Sequence, residues 1–131
     1  AMHRNLYIDA PRVLGERLEL RAAPHVHLAG QIVGVEGYVE SAAMGLLVGL
    51  WLGRRLRGLG FEPPPRTTAV GALYAHVRGA FGEGRKYEPM NIHFGLFPEV
   101  RARGRMRRRA AICDRARRDF EMWLERLEGM K

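Results

Sequence analysis

The sequence predicts an α/β piece followed by a mainly helical C-terminal region, and three patterns carry that reading. Apolar residues form two short stretches early in the chain, an alternation at Leu18 and Leu20 and a run from His25 to Ala29, as half-buried strands do. The second stretch runs into a loop bearing Gly30, Gly34 and Gly37 and then into a helical pattern from Tyr38 to Arg57. From about Arg105 to Glu128 the residues Met106, Ala110, Cys113, Phe120, Trp123, Leu124 and Leu127 recur at three- and four-residue steps, which marks an amphipathic helix. The chain divides near residue 60: a strand-loop-helix portion in 1–60 and a helical region in 61–131.

Each element has its own local cause. Pro11 and Gly15 break up the opening residues, so the first strand is short. Along the long helix, Ser41, Gly45, Gly49 and Gly53 fall every four residues on one stripe. An interior glycine costs a helix about 1 kcal/mol relative to alanine, so the stripe is expected to lie in close contact with another element. Arg54, Arg55 and Arg57 complement the negative end of that helix, and Gly58 is placed to take a left-handed cap. Pro63, Pro64 and Pro65 form a stiff connector, after which Thr67 or Thr68 caps a helix through Ala72, Leu73, Ala75, His76 and Val77. The stretch from Gly79 to Gly84 stops it. From Tyr87 to Pro98 the chain is apolar and aromatic without either period, and Pro89, Gly95 and Pro98 mark it as an ordered irregular segment. No internal repeat is present.

A chain of 131 residues can bury about two-thirds of its unfolded surface in one domain, so it needs no disulfide to fold. Its single cysteine, Cys113, argues for a reducing, intracellular setting, with the cytoplasm as the expected location. The longest apolar stretch, Met44 to Leu52, is far short of the roughly 20 residues of a membrane helix, and no membrane association is expected.

The formal charge of +8 is concentrated in the tail. Residues 1–60 carry 7 basic and 5 acidic side chains and residues 61–100 carry 4 of each, whereas residues 101–131 carry 11 basic and 5 acidic. Between Arg101 and Arg118 nine arginines face one acid, Asp114. Such a run is either the footprint of a polyanion or a solvated helix face. The use of arginine, whose fork pairs with phosphate oxygens, favours phosphate. A GC-rich genome or a thermophile would also produce it.

The glycine loop likewise has two readings. A strand, a glycine-bearing loop and a helix bring backbone N–H groups and a positive helix end against an anion or a polar ring; alternatively, the glycines only let the chain turn tightly. Their spacing, G-x-x-x-G-x-x-G, is not that of the dinucleotide fingerprint. Glu36 and Glu40 lie four residues apart at the helix start, where the helix dipole favours acids whatever the function, and Glu40 is placed to cap free N–H groups. The five histidines have no metal-ligand spacing, and no metal site is expected. Cys113 falls on the apolar stripe of the last helix, which predicts a buried, inert thiol, and the chain contains no evident catalytic nucleophile.

Four segments together carry a resemblance. Leu28 to Gly49, LAGQIVGVEGYVESAAMGLLVG, closely resembles the second flavin-contacting motif of the folate-dependent tRNA (uracil-5-)-methyltransferases. The related tRNA uridine 5-carboxymethylaminomethyl modification flavoproteins share its AGQI, GY and GL elements, but VEGYVESAA, Val35 to Ala43, is similar to the methyltransferase branch. MHRN at Met2 to Asn5, PPPRTTAVGAL at Pro63 to Leu73 and PMNIHFGLFP at Pro89 to Pro98 agree with it in the same order. The departures are His93, where asparagine is usual, Val33, where threonine is frequent, and a tail richer in arginine.

The resemblance implies that the first portion is part of a Rossmann-like FAD-binding fold. It also implies a parent enzyme that uses FAD, methylenetetrahydrofolate and NAD(P)H to methylate C5 of a uracil in tRNA. In that reading Gly30 and Gln31 approach the ribityl chain of FAD, and Gly34, Val35, Glu36, Gly37 and Tyr38 set backbone N–H groups near the pyrimidine end of its ring. The basic run, with Arg101, Arg103, Arg105, Arg107, Arg108 and Arg109, is expected to contact the tRNA backbone. Parent enzymes are more than three times as long and use an N-terminal fingerprint and cysteines from earlier segments. The chain is thus expected to need that N-terminal part as a partner and to be inactive alone. The alternatives are a stand-alone basic RNA-binding module and an inert structural fragment.

Overall fold

The computed structural model describes residues 6–131; the MHRN segment, Met2 to Asn5, lies outside them. A short helix, α1 (Ala10–Val13), opens the described chain, with a proline in its first turn, where the missing N–H costs nothing. Two strands follow, β1 (Glu19–Leu20) and β2 (Ala23–His27), paired antiparallel with an irregularity between Glu19 and Leu20. Leu18 takes a positive φ of 57° just before β1 while its side chain is fully buried. The second strand therefore begins and ends two residues before the span expected from His25 to Ala29. The tight connection from Leu20 to Ala23 fixes the pairing, and Leu28 and Ala29 continue as extended chain toward the glycine loop.

The loop contains a 3₁₀ turn, Gly30–Val33, closed by the Gly34 N–H on the Gln31 carbonyl at 3.0 Å. Then comes α2 (Tyr38–Leu56), ended as expected by Gly58 in the left-handed region, with the Leu59 N–H on the Arg54 carbonyl at 2.9 Å. Thr68 caps α3 (Ala69–Val77) by accepting the Gly71 N–H at 3.0 Å. The segment after it is irregular, as expected, with a 3₁₀ turn at Phe94–Leu96. The last helix, α4, runs Arg105–Gly129.

One apolar cluster draws on both portions of the chain: Val33, Val35, Met44, Leu47, Val48 and Trp51 from the first, Leu73, Val77, Trp123 and Leu127 from the second. Phe61 sits between Trp51 and Trp123, with ring centroids 4.5 and 6.2 Å away, and joins α2 to α4. The Trp123 indole N–H donates to the Glu62 carbonyl at 3.0 Å, so this large ring is buried with its polar atom satisfied.

Two expectations fail. Of the stripe, only Ser41 lies against another element, at Gly30; a Cβ added at Gly45, Gly49 or Gly53 meets nothing within 4 Å among the described residues. Tyr38, Val39, Leu46 and Leu56 flank it at 76–97% exposure, so α2 turns a broad apolar face outward. The core takes Met44, Leu47, Val48 and Trp51 from the other side of the helix. On α4 the buried residues are Ile112, Trp123 and Leu127, while Met106 and Cys113 are exposed. In its first half Ile112 is the residue that becomes buried, while Cys113 lies at an open cavity that it shares with Phe94 and Phe97. The thiol expected to be buried is exposed instead.

Candidate functional site

The loop from Gly30 to Tyr38 is built around three glycines with positive φ: 82° at Gly30, 89° at Gly34 and 99° at Gly37. They do different work. Gly34 is buried, and a Cβ built on it would sit 2.5–2.7 Å from the Tyr87 ring and hydroxyl. Glycine at this position therefore has an internal cause: the space where a Cβ would lie is already filled by Tyr87. Gly37 is exposed at the helix start, and its added Cβ would meet only the carboxylate of Glu40, the end of a flexible side chain. At Gly30 the neighbour is the Ser41 side chain at 3.4 Å, which is ordinary contact.

Behind the loop lies a parallel bridge. Val35 pairs with Met90: the Met90 N–H donates to the Gly34 carbonyl at 3.1 Å and the Glu36 N–H donates to the Met90 carbonyl at 3.0 Å. Two side chains add to it. The Tyr87 hydroxyl donates to the Val33 carbonyl at 2.5 Å, and His76 Nε2 lies 3.2 Å from the Gly34 carbonyl, the distance of an N–H donating to it. The His76 and Tyr87 rings stack with centroids 5.0 Å apart. Burial holds the Tyr87 phenol above its usual range, and burial holds the His76 imidazole below its ordinary value, so the ring is neutral near pH 7.

In front of the loop the N–H groups are free. Those of Val35, Gly37, Tyr38, Val39 and Glu40 have no acceptor among the described residues, and no side chain caps the start of α2. Glu40, placed by sequence to fill that role, does not. Tyr38 is 97% exposed and Gln31 is exposed, while Val35 is buried and Glu36 partly so. Of the seven loop residues singled out, Gly30, Gln31, Gly34, Val35, Glu36, Gly37 and Tyr38, the last two present their backbone at an open helix N-terminus.

The arginines of the basic run differ in exposure and in partners. Arg101, Arg103, Arg105, Arg107 and Arg108 are exposed and have no ion-pair partner among the described residues. Arg109 is partly buried, its guanidinium 4.9 Å from the centre of the Phe94 ring. Arg115 donates to the carbonyls of Pro98 and Glu99 and so ties the irregular segment to α4, and Arg118 pairs with Asp119 at 3.3 Å. Between α4 and the Phe94–Leu96 turn lies an open cavity of about 740 Å³ lined by Ile92, Phe94, Phe97, Ile112 and Cys113, with Arg109 at its edge. His93 caps that turn by accepting the Gly95 N–H at 3.1 Å, a role that an asparagine side chain also fills.

Among the described residues no three His, Cys, Asp or Glu side chains gather as metal ligands would, and no helix is long and apolar enough to cross a membrane. Sequence reasoning missed Tyr87, His76 and Met90 as supports of the loop. The similarity of the Met90 segment to a family motif was the one signal, and it pointed to a region rather than to a role.

The family model described as glucose inhibited division protein A matches residues 1–60. A methylenetetrahydrofolate–tRNA-(uracil-5-)-methyltransferase of Paracoccus denitrificans is 46% identical over 128 residues, and proteins of the same name from Roseobacter denitrificans and Anaeromyxobacter dehalogenans are 48% and 50% identical over 129 and 127 residues. These matches cover 94–95% of this chain and 28% of each relative, so the chain spans under a third of their length. With such identity along nearly its whole length, the chain corresponds to a fragment of the methylenetetrahydrofolate–tRNA-(uracil-5-)-methyltransferases.

Proposed function

We propose that this chain is the C-terminal part of a folate- and FAD-dependent tRNA (uracil-5-)-methyltransferase, in which it forms half of the flavin site and contacts the tRNA backbone. The observation that carries the flavin half is the open start of α2: the N–H groups of Gly37, Tyr38, Val39 and Glu40 are unpartnered at the positive end of a 19-residue helix. Such an end carries roughly half a unit of positive charge. A flavin fits these residues, because the exposed Gly37 puts no side chain in front of the N–H groups. Bound there, the flavin would supply reducing equivalents and carry the methylene unit.

This chain's own residues bind and orient. Gly30 and Gln31 flank the entry to the loop, Gly34 and Glu36 spend their N–H groups inside the fold, and Gly37 and Tyr38 offer theirs at the open start of α2. The Rossmann-like remainder of the flavin fold, and the catalytic groups, belong to the part of the relatives that this chain does not span. The apolar face of α2, with Gly45, Gly49 and Gly53 open between exposed Leu46 and Leu56, is the surface that part would cover. Arg101, Arg103, Arg105, Arg107 and Arg108 give a phosphate-facing edge, to which Arg109 adds its charge from the Phe94 ring.

The test uses a full-length family member in which this sequence replaces the matching segment. Replacing Gly37 with valine is expected to weaken flavin binding at least tenfold in a titration of the apoprotein. Parent affinity in a variant that melts like the parent overturns the assignment.

A further inference from the structure

We infer that Tyr87 and His76 are positioning residues that hold the glycine loop from behind so that its free N–H groups face the flavin. The inference rests on the flavin reading above, and it assigns the setting of that site to two side chains from outside the loop. The argument begins with the geometry of a trans peptide, in which C=O and N–H point in opposite directions. The Gly34 carbonyl is held on one side by the Met90 N–H at 3.1 Å and by His76 Nε2 at 3.2 Å. The N–H of Val35, in the same peptide unit, is thereby turned to the other side; Val35 itself is buried, so the donors this orientation brings to the surface are those that follow at Gly37 and Tyr38. Tyr87 fixes the preceding unit through the Val33 carbonyl at 2.5 Å.

A loop of three positive-φ glycines has a broad choice of conformations, and ordering it costs entropy unless other contacts do so first. Here two neighbouring carbonyls are gripped by two aromatic side chains that are stacked on each other at 5.0 Å and stand on different segments, α3 and the irregular stretch after it. The Tyr87 ring also occupies the space where a Cβ on Gly34 would lie, so the loop cannot sink inward. The clamp holds the loop through contacts on its far side, so neither side chain needs to touch the ligand.

A Tyr87→Phe change keeps the ring, its stack on His76 and its packing on Gly34, and removes only the hydroxyl. In the full-length chimaera this is expected to weaken flavin binding by about three- to tenfold, the effect of one lost buried hydrogen bond. It is also expected to lower the midpoint potential of the bound flavin, because a looser set of N–H donors stabilises the negatively charged reduced ring less. His76→Leu is expected to do the same, and His76→Gln, which keeps a donor at the Nε2 position, to restore both affinity and potential. A role confined to folding would move the melting temperature and leave the potential of the flavin that still binds unchanged. If Gly37→Val weakens binding while Tyr87→Phe and His76→Leu leave affinity and potential at parent values, the clamp is refuted and the flavin reading stands. If none of the three weakens binding, the flavin reading falls and the clamp falls with it.

Discussion

Gly34 and Gly37 both have positive φ, yet the structure separates the cost of filling them. At Gly34 (φ 89°, ψ 30°) an alanine must adopt the left-handed helical region, at roughly 1–2 kcal/mol. Its methyl must also enter space held by the Tyr87 ring 2.5–2.7 Å away, an overpacking that costs about 1–3 kcal/mol. The ring cannot swing aside without losing its hydrogen bond to Val33 and its stack on His76. At Gly37 (φ 99°, ψ 145°) the backbone lies in a region nearly reserved for glycine, at about 1–3 kcal/mol, but the methyl meets only the Glu40 carboxylate, which is free to move. Only the Gly34 cost should therefore depend on Tyr87. The assay is urea unfolding followed by fluorescence of the buried Trp51 and Trp123, on Gly34→Ala and Gly37→Ala with and without Tyr87→Ala. Removing the ring should recover about 1–3 kcal/mol of the Gly34→Ala loss as coupling and none of the Gly37→Ala loss. Additivity within about 0.5 kcal/mol for the Gly34 pair would refute the packing argument.

Three further outcomes are expected. The 131-residue chain purified alone should hold no stoichiometric flavin, because it forms only half of the proposed site; a yellow preparation with about one flavin per chain contradicts this and points to a copy that completes the site. Burial lowers the His76 pKa in the fold from 6.5, so the unfolded chain binds the proton first and stability present above about pH 6.5 is lost as pH falls through the folded value. Melting temperature against pH should thus drop more steeply on the acid side for the parent than for His76→Gln, and parallel curves would remove His76 as the cause. Replacing Arg105, Arg107 and Arg108 with glutamine, and leaving Arg109 on its aromatic ring, should weaken tRNA binding by the full-length chimaera and flatten its logarithmic salt slope by roughly 0.7–0.9 per lost contact. An unrelated structured RNA should lose as much, and unchanged slopes would make the run a solvated face.

What the sequence made legible was mostly local. Gly58 as a left-handed cap, Thr68 as an N-cap and the extent of α2 depend on residues a few positions apart, whose hydrogen-bonding rules do not wait on tertiary contacts. The inward face of α4 did wait on them. Cys113 and Ile112 are adjacent, and periodicity alone does not say which of them becomes buried. Tyr87 was invisible for the same reason. It stands 53 positions from Gly34, in a segment with no period, and its contact with the loop exists only once the Val35–Met90 bridge has formed.

The glycine stripe of α2 is a different kind of failure. Three interior glycines at four-residue spacing weaken a helix by about 1 kcal/mol each, so a stable protein is expected to recover that loss in a close helix or strand contact. Among the described residues the recovery is absent: a Cβ added at Gly45, Gly49 or Gly53 would meet nothing within 4 Å, and the large apolar side chains beside them are open. Two accounts remain. Either the helix simply bears the cost, or the compensating surface lies in the portion of the relatives, over two-thirds of their length, that this chain does not span. They differ in what alanine does at the stripe. If the helix merely bears the cost, Gly45→Ala and Gly49→Ala stabilise the isolated chain and the full-length chimaera alike, by roughly 0.5–1 kcal/mol each. If the stripe is an interface, the same changes stabilise the isolated chain and destabilise the full-length protein, because the added methyls then overlap a neighbour. The sign of the effect in the full-length protein decides between them, and a gain there would leave the stripe without a packing role.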